Sequence, residues 1–177
     1  PDRFFACLTK WQKALPWNTV YLENHDQPRS VSRFGNDTQY HDESAKALAT
    51  LVLTLRGTPF LYEGQEIGMT NFDFPDMQKV RDVESINIWN IGKRLHLPRS
   101  LRWRMIKTKS RDNARTPMQW NDSPNAGFST GTPWLSVNGN YPRINVAEQE
   151  NAPNSVLAYY RQLIAFRNGS EILQAGD

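Results

Sequence analysis

The sequence predicts an α/β fold with a parallel sheet, and within that class a portion of a (β/α)8 barrel. Three observations carry this. Helix and strand patterns alternate with short connections, the order that builds parallel sheets. The first strand ends in Glu23-Asn24-His25-Asp26-Gln27, five polar or ionisable residues before Pro28, and in parallel barrels chemistry sits at that end of the strands. Only two convincing strands occur in 177 residues, whereas a closed barrel takes roughly 250 residues.

Taken in order, Phe4, Leu8, Trp11 and Leu15 fall on one stripe of a first helix, which Pro16 closes. A buried strand is expected over about 18–22, leading into the polar cluster. After a turn at Gly35 to Asp37, Asp42 is the expected N-cap of a second helix. Leu48, Leu51, Val52 and Leu55 form its apolar face. Gly57 is placed where a left-handed C-cap belongs, and Thr58 to Tyr62 reads as a second buried strand. From about Glu63 to Asn154 no long period is present. A connection of that length without a core of its own is uncommon and is usually functional. Val80, Val83, Asn87 and Ile91 suggest one short helix inside it, and Leu101 to Ile106 a weaker one. Ser155 is the expected N-cap of a last helix with Val156, Tyr159, Tyr160, Leu163 and Phe166 on its stripe, stopped at Asn168-Gly169.

Composition narrows the function classes. With 38% hydrophobic and 22% charged residues the chain is globular in character, and no apolar run approaches the roughly 18 residues of a membrane span. Pro1-Asp2-Arg3 is neither a leader pattern nor an initiator methionine, so a processed or excised piece is expected. The single cysteine, Cys7, excludes an intramolecular disulfide, is expected to be a buried thiol, and is compatible with a cytoplasmic setting. Three scattered histidines build no zinc site, so neither a metal nor a cofactor is expected. Between Lys93 and Arg115 nine Lys or Arg meet one acid, Asp112, a net +8 against −5 for the remaining chain. Such a run can mark a nucleic-acid surface. With one aromatic and no nucleic-acid motif, the expected reading is a solvated face.

The segment Glu23-Asn24-His25-Asp26-Gln27-Pro28-Arg29 resembles the fourth signature segment of the α-amylase superfamily, glycoside hydrolase family 13, in its oligo-1,6-glucosidase and α-glucosidase branch. Three more stretches fit the same branch: Ser32 to Asp37, Arg56 to Tyr62 continuing through Gly68-Met69-Thr70-Asn71, and Ser110 to Trp120. The likeness runs in register over nearly the whole chain.

That resemblance implies the C-terminal part of a (β/α)8 TIM barrel, from about its sixth helix to its eighth, with a long loop between strand 8 and helix 8. All of 1–177 would be partial catalytic domain, with a β-domain just beyond Asp177. The implied enzyme is a retaining α-glucosidase acting on an oligosaccharide or disaccharide. Such enzymes flank the scissile bond with two carboxyl groups, and hydrogen bonds to the sugar 2-hydroxyl strengthen in the transition state. Asp26 matches the family's transition-state-stabilising acid, and His25 would donate to the same hydroxyls. The nucleophile Asp and acid/base Glu would lie upstream of Pro1, so the chain alone is expected to be inactive and to need the remainder of its barrel as partner. Glu84 and Arg111 match an acid and an arginine lining the aglycone side.

Plainer roles compete for the same residues. Asp26 could cap a turn, His25 could be structural, and Glu84 with Arg111 could form a loop-bracing salt bridge. Arg29 is expected to brace the loop, as are Arg115, Gln119 and Trp120. Glu63, where the branch usually carries Gln, and Glu66 are expected to be structural. Trp89, Trp103 and Trp134 are read as packing residues before sugar platforms. The family's calcium ligands would fall outside this segment. Rival functions are trehalose-6-phosphate hydrolase, dextran glucosidase or sucrose isomerase within the family. A non-catalytic relative, such as the glucosidase-like ectodomain of amino-acid transporter heavy chains, is the rival from another class.

Overall fold

The computed structural model describes residues 2–175. The expectations attached to Pro1 and Asp177 therefore lie outside the described residues. Helix α1 (Asp2–Ala14) leads to strand β1 (Thr19–Val20), a short helix α2 (Ser30–Phe34), helix α3 (His41–Thr54) and strand β2 (Thr58–Pro59). The long connection follows and carries α4 (Val83–Arg94), α5 (Arg99–Lys109) and α6 (Val146–Glu150); α7 (Val156–Asn168) and α8 (Glu171–Ala175) close the chain. The strands pair in parallel, Thr19 opposite Thr58 and Val20 opposite Pro59. The result is an α/β unit with a two-stranded sheet among helices. Both strands are shorter than expected because each finds one ladder neighbour among the described residues.

The main core lies where α3 and α7 pack against β1. Val20, Leu22, Val31, Ala45, Ala49, Val52, Leu53, Val156 and Tyr160 form it. Ser155 caps α7 as expected, accepting from the Ala158 N–H at 3.1 Å. Arg167 ties α7 to the end of α3, donating to the carbonyls of Leu53, Leu55 and Gly57 at 2.7, 2.9 and 2.6 Å. In this way one buried guanidinium serves the orphan acceptors that a helix end leaves.

Several expectations need correction. Asp42 is not the N-cap of α3 but its second residue, bound to His41 Nδ1 at 2.7 Å, and Tyr40 is the N-cap. Gly57 is not a helix C-cap, since α3 ends at Thr54 with Leu55 extended after it. Its φ of +125° serves the strand crossing, where a Cβ would stand 2.2 Å from the Asn18 carbonyl oxygen. On the expected apolar stripe of α1, Trp11 is exposed, and Leu15 is exposed just beyond the helix, because no described element covers them. Cys7, on the same helix, is exposed rather than buried.

The long connection differs most from its expected irregular state. It has a small core of its own in Phe72, Phe74, Val80 and Ile106, joined by Ile86, Ile88, Trp89 and Trp103. The two helices inside it are longer than the patterns suggested, 12 and 11 residues. Trp89 and Trp103 pack on each other at 5.1 Å between ring centroids, as expected of packing residues. A second patch of Ile67, Met69, Met118, Ile144 and Leu157 seats the connection on α7.

Candidate active site

The polar run after β1 cannot stay in the sheet, because its side chains need partners that an apolar strand environment lacks. The structure splits it into a buried half and an open half. On the buried side, Glu23 Oε1 accepts from the Ser30 N–H and hydroxyl at 2.7 and 2.6 Å, fixing the start of α2. Its other oxygen lies 3.3 Å from Arg29 Nη1. Arg29 also donates to the carbonyl oxygens of Glu63 at 2.5 Å and Ala114 at 3.3 Å, and its guanidinium lies 5.3 Å from the Tyr62 ring centroid. One enclosed arginine thus joins the ends of both strands to the long connection. Arg29 is the brace the sequence suggested.

Asn24 turns the chain outward. Its side-chain oxygen accepts from the Asp26 N–H at 2.8 Å, and its carbonyl accepts from the Gln27 N–H at 3.1 Å. This tight turn presents His25 and Asp26 to solvent, with side chains 71% and 43% exposed. His25 Nε2 stands 3.4 Å from Asp26 Oδ2. Arg115 donates through Nη2 to Asp26 Oδ1 at 2.6 Å and through Nε to the His25 carbonyl at 2.9 Å. Arg111 Nη1 is 3.7 Å from the same Asp26 oxygen, and Arg111 Nη2 is 3.5 Å from Glu84 Oε2.

All four residues singled out in the sequence, His25, Asp26, Glu84 and Arg111, therefore meet in one cluster. The fifth, Arg115, was expected only to fold the loop. It does that through the His25 carbonyl, but it also makes the shortest contact to Asp26. Arg111 begins the 3-10 turn Arg111–Ala114 and Arg115 follows it, which brings both guanidinium groups to Asp26. Ser110 starts that turn by accepting from the Asp112 N–H at 3.3 Å.

The electrostatics of the surroundings are uneven. The Asp82 charge beside Arg111 raises the guanidinium pKa further. Burial alone would raise Asp82, but hydrogen bonds from Ser85 and Arg111 together with the Arg111 charge outweigh it and hold it below the ordinary carboxylate range. Glu63 and Glu66 sit above that range, chiefly through burial. A cleft of about 500 Å³ runs past Arg115 between Glu63, Glu66, Trp120, Phe128 and Trp134. Trp134 faces it largely exposed, unlike the packed Trp89 and Trp103. Another cleft, about 590 Å³ between the start of α3 and residues 143–155, includes no member of the cluster. Among the described residues, no group of three His, Cys, Asp or Glu is gathered as a metal site, and no helix is long and apolar enough to cross a membrane.

Chemically, the cluster offers an acceptor-only carboxylate beside an imidazole, with two multi-donor guanidinium groups and a second carboxylate nearby. Donors and acceptors alternating around an open strand end suit a polyhydroxylated ligand. Fold and site together define a parallel α/β protein with a strand-end carboxylate centre.

Within that class the chain belongs to the family described as "Alpha amylase, catalytic domain", matched over residues 2–176. It is 51% identical over 174 residues to an oligo-1,6-glucosidase of Parageobacillus thermoglucosidasius, covering 96% of this chain and 31% of that protein. It is 43% identical over 173 residues to a trehalose-6-phosphate hydrolase of Bacillus subtilis (strain 168), covering 96% and 31%. Among solved structures, trehalose-6-phosphate hydrolase of Bacillus licheniformis superposes with a TM-score of 0.93 at 45% identity, over 97% of this chain and 32% of that one. Isomaltulose synthase of Erwinia rhapontici NX5 gives 0.91 at 44% identity, over 98% and 32%. The chain thus spans about a third of the length of the curated relatives it matches.

Proposed function

We propose that this chain is the C-terminal portion of the catalytic barrel of a retaining α-glucosidase of the oligo-1,6-glucosidase type. Its elements correspond to the barrel's sixth helix through its eighth, with the long connection as the loop after strand 8. The observation that carries the reading is Asp26, an open carboxylate at a strand end, held by Arg115 and flanked by His25 and Arg111. In this role Asp26 is the transition-state-stabilising acid. Its carboxylate accepts from sugar hydroxyls as the ring flattens toward the oxocarbenium-like state, while His25 donates to the same diol. Glu84 and Arg111 address the aglycone. The nucleophile and the acid/base are contributed by the rest of the barrel, and short α-linked glucosides are the substrates. Identities of 51%, 48% and 49% to three oligo-1,6-glucosidases, against 43% to a trehalose-6-phosphate hydrolase, support the first activity.

The test is hydrolysis of p-nitrophenyl α-glucoside by this segment alone and after assembly with the upstream part of its barrel. The segment alone is expected to be silent, and the assembled protein active in an Asp26-dependent way. Activity of the segment alone would overturn the assignment of the missing acids. An assembled, folded protein with no activity would support a non-catalytic relative.

A further inference from the structure

We infer that the buried carboxylate of Asp82 positions Arg111 and Glu84 against Asp26, so that it acts on turnover through Arg111 and not by contact with sugar. This rests on the site reading above and extends it to a residue that the cluster itself does not contain. Asp82 begins as an ordinary N-cap of α4. Its oxygens accept from the Glu84 N–H at 3.2 Å, the Ser85 N–H at 3.3 Å and the Ser85 hydroxyl at 2.7 Å. That much serves the orphan donors of a helix start.

The remaining contacts are surplus to capping. Asp82 also accepts from the Arg111 N–H at 3.3 Å and from Arg111 Nε at 3.0 Å. Both the backbone and the inner nitrogen of Arg111 are thus fixed by one side chain that is 3% exposed. With Nε occupied, the planar fork has little freedom left. Its outer nitrogens point at Asp26 and Glu84 from 3.7 and 3.5 Å. Those separations exceed good hydrogen bonds, so the outer N–H groups stay available to ligand hydroxyls. Glu84 sits in the first turn of the helix that Asp82 caps, so the same carboxylate sets its place too. Asp82 is itself pinned, because Asp112 Oδ2 accepts from the N–H groups of Arg81 and Asp82 at 2.6 and 2.9 Å.

The experiment uses the full-length enzyme with p-nitrophenyl α-glucoside and isomaltose, reading kcat, KM and Tm. Asn is nearly as good an N-cap as Asp; with its amide oxygen on Ser85, Asp82→Asn keeps that cap bond and turns an NH2 group toward Arg111 Nε in place of the charge that faces it. It is expected to lower kcat/KM about tenfold, with Tm within about 2 °C of wild type. In an Arg111→Ala background the same change is expected to cost less than about twofold, because the residue it acts through is gone. Asp76→Asn, the same substitution at the cap of the nearby turn Met77–Lys79, is expected to leave kcat/KM unchanged. An equal cost of Asp82→Asn in both backgrounds, or a loss that follows Tm or is matched by Asp76→Asn, overturns the inference while leaving the site reading intact. If Arg111→Ala leaves kcat/KM unchanged, the site reading fails and the inference falls with it.

Discussion

Two carboxylate–guanidinium groupings grow from the same strand end, and they differ in one physical respect. Glu23 and Arg29 have side chains 1% and 0% exposed. Asp26, Arg111 and Arg115 are 43%, 32% and 29% exposed. The first pair is surrounded by protein partners and has no face left for a ligand. The second keeps open lone pairs and N–H groups, and some of its separations are too long to be structural bonds. Residue types alone do not distinguish them, since both are acids beside arginines and both acids lie in the same polar run after β1. What separates a brace from a candidate site here is whether the charged groups are enclosed by protein or left open to solvent.

Breaking the open grouping is expected to give the largest effect, and on turnover alone. In the full-length enzyme Asp26→Asn should lower kcat by roughly 10³-fold, the scale of losing a hydrogen bond that tightens in the transition state. Its denaturation midpoint should stay at the wild-type value. A loss of stability in place of a loss of kcat would make Asp26 a turn-capping residue. Breaking the buried grouping should do the reverse. Arg29→Met strands Glu23 in an enclosed site, which costs about 3–5 kcal/mol when one partner of a buried pair is removed. Urea unfolding measures this, and a cost no larger than that of a surface pair would place Arg29 outside the brace. A smaller loss, roughly 2 kcal/mol, is expected from Arg167→Leu, which leaves the carbonyls of Leu53, Leu55 and Gly57 without their donor.

The same contrast explains what could be read before the structure. His25, Asp26, Glu84 and Arg111 were legible because their segments resemble a family's, and the structure brings them together. The helices α1, α3 and α7 were legible from apolar periodicity, and the Ser155 cap from its residue type. Arg115 was missed as a member of the cluster because its bond to Asp26 spans 89 positions, a tertiary contact that local pattern does not encode. The core of the long connection was missed for a related reason. Phe72, Phe74, Val80 and Ile106 are sparse in sequence and converge only when α5 folds back on α4. With Arg99, Arg102, Arg104, Lys107 and Lys109 on it, α5 reads only as a weak helix with a charged face, and its buried side is masked. Asp42 and Gly57 were misread because each fits a helix-end rule locally, whereas Asp42 binds the His41 ring and Gly57 leaves room for the Asn18 carbonyl at the strand crossing.

The smallest expected effects lie in the pH dependence of stability, where Asp82 and Glu66 should slope in opposite directions. Asp82 is held below the ordinary carboxylate range by Ser85 and Arg111, against the opposing effect of burial. The unfolded chain then binds the proton more readily, so its contribution is complete above about pH 4 and is lost as pH falls through the depressed folded value. Glu66 is raised, chiefly by burial. There the folded state binds the proton more readily, so the contribution is present below about pH 4.3 and is lost as pH rises through the elevated value. Tm followed from about pH 3 to 7 should therefore show Asp82→Asn flattening the acid side. Glu66→Gln should raise Tm slightly at neutral pH and change little in acid. If Glu66→Gln lowered Tm at neutral pH, ionised Glu66 would be a stabilising partner in the cleft, and the division between a closed brace and an open site would have to be redrawn to include it.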